Sequence, residues 1–167
     1  MGATPTVSHV PAPPHHRVAF GLAAATVIAL DQLTKHWALA ALQDGPIDLI
    51  GSLRLNLTFN DGAAFSIGAG RTRLISLVAL AVVGFIVRYG LRADRRLVAV
   101  GVGVILGGAL GNLLDRAVRS GDGFLGGRVV DFIDLQWWPV FNVADMSLWV
   151  GIGLLVIATW RQPGSDR

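Results

Sequence analysis

Asp131 and Asp145 are the residues of this sequence whose type and spacing best suit chemistry. Asp131 precedes an aromatic-rich connection, and Asp145 lies near the start of an apolar run that continues to Trp160. A carboxylate in a membrane-length helix is costly, by roughly 2.5 to 3.5 kcal/mol at the bilayer centre on insertion scales, and is therefore a candidate for function. Two carboxylates held close together do not both ionise readily, so one can activate a water while the other protonates a leaving amine.

The polar residues near these aspartates favour chemistry over a purely structural role. The structural alternative is that Asp131 caps a turn and that Asp145 pairs with an Arg. Asn142, however, lies three residues before Asp145 on the same helical face. An apolar bundle without a polar task would not gather further amides and charges at the same level. Those that we expect there are Asn60, Asn112, Asp115 and Arg116.

Two charged pairs also have a simpler explanation. Asp31 and Lys35 are four residues apart, so they can pair along their own helix and serve as structural support. Asp115 and Arg116 end an apolar segment, where we expect Asp115 to be the partner of Arg116. For both pairs a structural role stands beside a chemical one.

The composition is that of a membrane protein. Of the 167 residues 53% are hydrophobic and only 15% are charged, and the mean hydropathy is +0.57, so too few polar side chains exist to cover a soluble globule. The net charge of +3 does not indicate nucleic-acid binding, because the Arg residues flank apolar runs and form no patch.

Several chemistries are excluded by residue type. The sequence has no Cys, hence no thiolate nucleophile and no Cys-ligated metal. Three of the four His residues lie in the Pro-rich N-terminal tail, and no H-E-x-x-H or G-x-S-x-G motif occurs. We therefore expect neither a metal nor a cofactor.

The elements that must position the polar residues are four apolar segments, which predict an all-α membrane protein with four transmembrane helices. Residues 1–17 are predicted to be a disordered tail, 18–162 a membrane domain, and 163–167 a short C-terminal tail. Alternating apolar and polar residues predict a small amphipathic β segment on the outer surface. The predicted spans are 18–42, 72–90, 97–116 and 140–160, with the β segment at 43–70.

Arginine near the span ends predicts the orientation. The connection between the second and third spans carries four Arg residues within residues 88–96, which favours the cytoplasmic side for it and for both termini. The candidate site then lies near the outer face. Glycines of the third span predict close helix packing. Trp149 falls in the middle of the fourth span, where no interfacial role explains it.

Five blocks of residues resemble the lipoprotein signal peptidases, the bacterial signal peptidase II family. They occur in order and at compatible spacing over essentially the whole chain after the tail. The blocks are DQLTK at 31–35, FNDGAAFS at 59–66, GGALGNLLDR at 107–116, VVDFID at 129–134 and FNVAD at 141–145.

The resemblance implies an intramembrane aspartic endopeptidase of the bacterial cytoplasmic membrane. It would cut diacylglyceryl-modified prolipoproteins before the lipidated Cys, in contact with membrane lipid, without nucleic acid and as a monomer. The resemblance assigns the catalytic dyad to Asp131 and Asp145, and support to Asp31 and Lys35. Positions that also match the family around the site are Asn60, Asn112, Asp115, Arg116 and Asn142.

Two other functions remain open from the residues alone. Buried Asp, Asn and Lys side chains also line ion paths, which suits a proton-coupled transporter or channel subunit. A transporter of this size would need to oligomerise, and no inverted repeat of broken helices is visible. The third hypothesis is a membrane assembly factor without catalysis. Replacement of Asp131 or Asp145 by Asn discriminates among the three.

Overall fold

Four long helices dominate the computed structural model, which describes residues 14–62, 72–119 and 123–161. The helices are α1 (Pro14–Ala41), α2 (Thr72–Gly90), α3 (Arg96–Val118) and α4 (Val143–Trp160). Each is long and apolar enough to cross a membrane. The predicted fold class, four membrane-length helices with a small sheet, is confirmed.

Helix α1 begins earlier than the sequence predicted. The sequence predicts a disordered tail for residues 14–17, yet they form the first turn of α1. Proline suits this turn, because its ring fixes φ near the helical value and its missing N–H would have no partner there. Residues 1–13 and 162–167, which hold the rest of both predicted tails, lie outside the described residues.

Three antiparallel strands form a sheet in the order β1 (Ile47–Ile50), β2 (Leu53–Asn60) and β3 (Val129–Asp134). The alternation of residues 53–60 predicted β2. Strand β3 was not predicted, because five of its six residues are buried and its sequence does not alternate. Its pairing with β2 sets Asn60 opposite Val129 and Thr58 opposite Asp131. The sheet therefore joins two segments distant in sequence at the candidate site.

Helix α3 is the central element, because it packs against α1, α2 and α4. Its glycines allow the close approach that the sequence predicted. A methyl group added at Gly107 would lie 2.6 Å from Cβ of Val27 in α1, and one added at Gly101 would lie 3.2 Å from Leu155 in α4. These glycines thus hold α3 in close contact with both α1 and α4.

Candidate active site

Asp145 is fixed by the way in which α4 begins. The helix starts at Val143, later than the predicted 140, because Asn142 forms a capping box with Asp145. The Asp145 N–H donates to Oδ1 of Asn142 at 3.0 Å, and the Asn142 N–H donates to Oδ2 of Asp145 at 3.2 Å. The cap satisfies free backbone donors and holds the Asp145 carboxylate in one orientation.

The Asn142 side chain connects the two aspartates. Its amide is fully buried, and Nδ2 donates to Oδ1 of Asp131 at 2.6 Å and to Oδ1 of Asn112 at 3.0 Å. The same residue caps Asp145, as described above. One buried Asn thus contacts both carboxylates and fixes β3 relative to α4.

Each aspartate receives a second amide donor. Asn60 Nδ2 donates to Oδ2 of Asp131 at 3.1 Å, and Asn112 Nδ2 donates to Oδ1 of Asp145 at 3.0 Å. Asn60 is itself oriented, because its Oδ1 accepts from the Gly62 N–H at 2.9 Å. The amides that the sequence placed at one level therefore surround the two carboxylates.

Asp131 lies on β3, outside the membrane-length helices, and its pKa is raised to about 7. Burial is the main cause, and the nearby charge of Asp145 adds to it. Hydrogen bonds from Asn60 and Asn142 favour the ionised form and oppose the shift. Near neutral pH the Asp131 carboxyl can consequently hold a proton.

Lys35 stabilises a buried cluster beside the aspartates, here called the lysine cluster, which consists of Lys35, Asp31, Asn112 and Asp115. Its ammonium is fully buried and donates to Oδ2 of Asp31 at 2.8 Å, Oδ2 of Asp115 at 2.9 Å and Oδ1 of Asn112 at 2.8 Å. The pairing of Asp31 with Lys35 along α1 is the one that their spacing predicted. Because Lys35 occupies the carbonyl side of Asn112, the amide nitrogen of Asn112 points to Asp145.

Asp31 links the lysine cluster to α4. Its Oδ1 accepts from the Ala144 N–H at 3.0 Å, in the first turn of α4. A carboxylate here satisfies a free donor and complements the positive end of the helix dipole. Lys35, Asp31 and the Asn142 cap therefore hold the start of α4 from two sides.

Asp115 has other partners than the predicted one. It pairs with Lys35 and, at 2.7 Å, with Nε of Arg119, and its Oδ2 accepts from the Val130 N–H at 3.1 Å. Consecutive helical residues point about 100° apart, whereas residues four apart share a face, so Arg119 replaces Arg116 as the partner. Asp115 thereby holds the backbone next to Asp131.

Arg116 turns toward the candidate site instead. Its Nη2 donates to the carbonyl oxygen of Gly62. Within the described residues its Nη1 is buried without a hydrogen-bond partner. The residues after Gly62 in the block FNDGAAFS, predicted to approach a ligand, lie outside the described residues. A buried donor without an acceptor at the edge of a cavity is suited to a ligand oxygen.

Both aspartates open onto one cavity of about 230 Å³, here called the polar cavity. Its apolar wall includes Trp138, Phe141 and Trp149. Within the described ranges, no group of three or more His, Cys, Asp or Glu side chains could hold a metal ion. The arrangement suits proton transfer between a carboxyl pair and a bound ligand. The polar lining residues are Asn60, Asn112, Arg116, Asp131 and Asp145.

Three contributors to the site were missed by sequence reasoning. Gln32 donates to Asp115 at 3.1 Å and to the Gly111 carbonyl oxygen at 3.2 Å, while Arg119 and the Val130 N–H also contact Asp115. The spacing of four between Asp115 and Arg119 was a usable signal. The contacts of Gln32 and Val130 depend on tertiary packing and have no local signature.

Substitution of Gly111 in α3 by Ala should disturb the lysine cluster, because the added methyl group meets Asp31. The new methyl group would lie 2.5 Å from Oδ2 of Asp31, so Asp31 must move away from Lys35 and Ala144. We expect a loss of about 1 to 3 kcal/mol in the free energy of unfolding, measured by denaturant titration in micelles.

Gly84→Ala in α2 is the matched control, because nothing lies within 4 Å of its added methyl group. Higher helix propensity should make this variant neutral or more stable, by up to about 1 kcal/mol. Equal stability of the Gly111 and Gly84 variants would contradict the packing of α3 on Asp31.

Comparisons with known proteins find relatives over most of the chain. The family model described as signal peptidase (SPase) II matches residues 23–161. A lipoprotein signal peptidase of Rhodococcus jostii is 46% identical over 159 residues, which cover 93% of this chain and 80% of the relative. One of Mycobacterium avium is 46% identical over 161 residues, which cover 94% of this chain and 88% of the relative.

Solved structures share the fold. One, described as a bacterial membrane enzyme at 2.3 Å resolution, is 27% identical, with a TM-score of 0.75 over 95% of this chain and 96% of the other. Another, described in the same words at 1.9 Å resolution, is 28% identical, with a TM-score of 0.70 over 92% of this chain and 98% of the other.

Proposed function

Because this chain belongs to the signal peptidase II family, we propose that Asp131 and Asp145 are the catalytic dyad of an aspartic endopeptidase. Members of this family are proteases that remove signal peptides from prolipoproteins, and this chain is a multi-pass membrane protease of that kind. The bond that it cuts lies just before the diacylglyceryl-modified Cys. The observation that supports assigning the dyad to these residues is that both carboxylates line one cavity and contact the same buried Asn142.

In the proposed reaction Asp145 starts as the base and Asp131 as the acid. Asp145 takes a proton from water while the water oxygen attacks the scissile carbonyl carbon, and Asp131 gives its proton to the carbonyl oxygen. Asp145 then passes its proton to the nitrogen as the C–N bond breaks, and Asp131 recovers a proton from the hydroxyl group. The raised pKa of Asp131, about 7, supports this division of roles.

Arg116 donates a hydrogen bond to the scissile carbonyl oxygen and stabilises the negative charge that develops there until the Asp131 proton has transferred. Its Nη1 is buried at the polar cavity and has no hydrogen-bond partner among the described residues, so a substrate oxygen can accept a hydrogen bond from it. A fixed donor of this kind acts most strongly where charge develops in a site with little water. Asn60 and Asn112 are already bonded to the carboxylates, and their role is to orient them.

The substrate reaches the dyad from the bilayer. Its covalent lipid contributes roughly 0.8 kcal/mol per buried CH₂ to membrane binding and holds the peptide at one depth. The dyad lies near the outer face and both termini are cytoplasmic, because the connection between α2 and α3 concentrates Arg residues. One chain supplies all the groups that the mechanism uses, so the enzyme works as a monomer, with residues 18–162 as its peptidase domain.

The buried polar groups of the site argue against both alternatives, an ion transporter or channel and a membrane assembly factor. An ion path needs a charged group that can exchange partners, whereas the three donors of Lys35 are each bonded to an acceptor. A membrane assembly factor has no use for two buried carboxylates beside an unpartnered Arg116 nitrogen. Family membership likewise favours the protease.

Cleavage by this chain should depend on pH through the Asp131 proton. Since the pKa of Asp131 is about 7, kcat/KM should fall about tenfold per pH unit above that value, as the acid of the pair is lost. Folding raises this pKa from 3.8, so the proton binds more tightly to the folded protein. The associated stability is present below pH 3.8 and is lost as pH rises through about 7.

The pH profile is measured with a fluorogenic prolipopeptide in bilayer discs. Asp134→Asn is the matched control on the same strand, because ion pairing with Arg54 lowers the Asp134 pKa against the effect of burial. This variant should keep the alkaline limb. A rate that stays flat up to pH about 9 would contradict an acid role for Asp131.

The proposed function is tested directly with purified protein and a diacylglyceryl-modified prolipoprotein. Mass spectrometry should find the lipidated Cys as the new N-terminus, and excess metal chelator should not change the rate. The same protein without the lipid modification is the matched substrate control and should be cut poorly. Absence of cleavage by the folded wild type, or loss of activity to the chelator, would overturn the proposal.

A further inference from the structure

A second cavity of about 260 Å³ adjoins the polar cavity. It is called the apolar cavity here, because Asp145 is the one charged residue in its lining within the described part of the chain. Both cavities share Trp138, Phe141, Asp145 and Trp149 as walls. The further walls of the apolar cavity are Leu135, Trp137 and Met146. A polar and an apolar compartment therefore meet at Asp145.

Trp149 occupies the boundary between these compartments. It lies one helical turn after Asp145 on the same face of α4, about 6 Å along the axis. The side chain is 70% exposed, so its ring is available to a ligand or to lipid. An interfacial belt does not explain a Trp in the interior of a membrane-length helix. Its position against both cavities does offer an explanation.

We propose that the apolar cavity receives one acyl chain of the lipidated Cys and that Trp149 determines the preference for that chain. This inference rests on the proposed function. In that reaction the nitrogen of the lipidated Cys is the leaving group at the dyad, so the lipid attached to the same residue must begin close by. The polar cavity offers hydrogen bonds suited to a peptide, and the adjoining apolar cavity offers aromatic and thioether surface suited to a hydrocarbon chain.

The energy of this contact comes from packing. An acyl chain is already surrounded by hydrocarbon in the bilayer, so moving it into the apolar cavity removes little surface from water. A large flat ring beside the chain adds dispersion contacts along its length. Trp149 should consequently affect long chains more than short ones, and this difference separates a chain contact from a peptide contact.

The test compares two prolipopeptides of identical sequence, one with two long acyl chains and one with two short chains, in the same bilayer discs. Trp149→Ala should lower kcat/KM for the long-chain substrate by about tenfold or more and for the short-chain substrate by less than about twofold. Trp160→Ala is the matched control, because Trp160 lies on the same helix, is 84% exposed and lines neither cavity. That variant should cleave both substrates at the wild-type rate.

An equal loss on both substrates would overturn the inference and would indicate that Trp149 contacts the peptide. No change on either substrate would also overturn it. Photocrosslinking from a diazirine near the middle of the acyl chain tests the site without requiring turnover. Label on Trp149, Trp138 or Met146 supports the apolar cavity, and label confined to lipid-facing residues such as Phe85 overturns it. A wild type that cleaves neither substrate overturns the proposed function, while crosslinking still decides the acyl-chain site.

Discussion

Replacement of Asp131 or Asp145 by Asn should each reduce cleavage of a lipidated prolipoprotein by about 10²-fold to 10⁴-fold or more. Each change removes one member of the proposed acid–base pair, while the amide keeps the size of the carboxyl group. The Asn side chain keeps one acceptor oxygen for the amide donors that surround each position, so the variants should remain folded in the membrane. The measurement is kcat/KM of purified variants on the same prolipopeptide, with circular dichroism as the check on folding.

Asp48→Asn is the matched control for these variants. Asp48 lies on β1 of the same sheet, but its side chain is exposed and lines neither cavity. Activity of this variant should equal that of the wild type. If either the Asp131 or the Asp145 variant keeps activity within about tenfold of the wild type, that residue does not carry the chemistry.

Lys35→Met should strongly destabilise the protein. Removal of the ammonium leaves the carboxylates of Asp31 and Asp115 buried without their shared cation, which typically costs about 3 to 5 kcal/mol. Activity should fall as well, because Asn112 loses the contact that orients its amide toward Asp145. Denaturant titration in micelles gives the free energy of unfolding, and the prolipopeptide assay gives kcat/KM.

Arg54→Met provides the comparison for Lys35. Arg54 pairs with Asp134 at 2.8 Å, but its side chain is 32% exposed, so its loss should cost no more than about 1 kcal/mol. Adding Asp31→Asn to Lys35→Met should recover part of the stability, since one uncompensated charge is removed. A Lys35 variant as stable as the Arg54 variant would show that the lysine cluster does not hold the site together.

Local sequence features predicted the parts of the molecule that depend on local physics. The apolar runs predicted the four membrane-length helices, and the glycines of the third run predicted the close packing around α3. The spacing of three between Asn142 and Asp145 placed both on one face, and the structure adds that they form a capping box. Strand β2 followed from simple alternation.

Other features depend on contacts between distant segments. Strand β3 has no alternation because it is buried between the helices and β2, so its pairing was not predicted. Lys35 and Asn112 are 77 residues apart, and no local pattern could show that they meet. Adjacency in sequence predicts Arg116 as the partner of Asp115, but consecutive helical residues point in different directions, and Arg119 shares the face of Asp115.

The central claim is that Asp131 and Asp145 share one proton near neutral pH. Infrared difference spectra between the wild type and Asp131→Asn in bilayers detect the C=O stretch of a protonated carboxyl group. At about pH 6 the wild type should show one protonated carboxyl that the variant lacks, and this band should disappear as pH rises through about 7. A pair that is fully ionised at about pH 6, or fully protonated at about pH 8, would contradict the account.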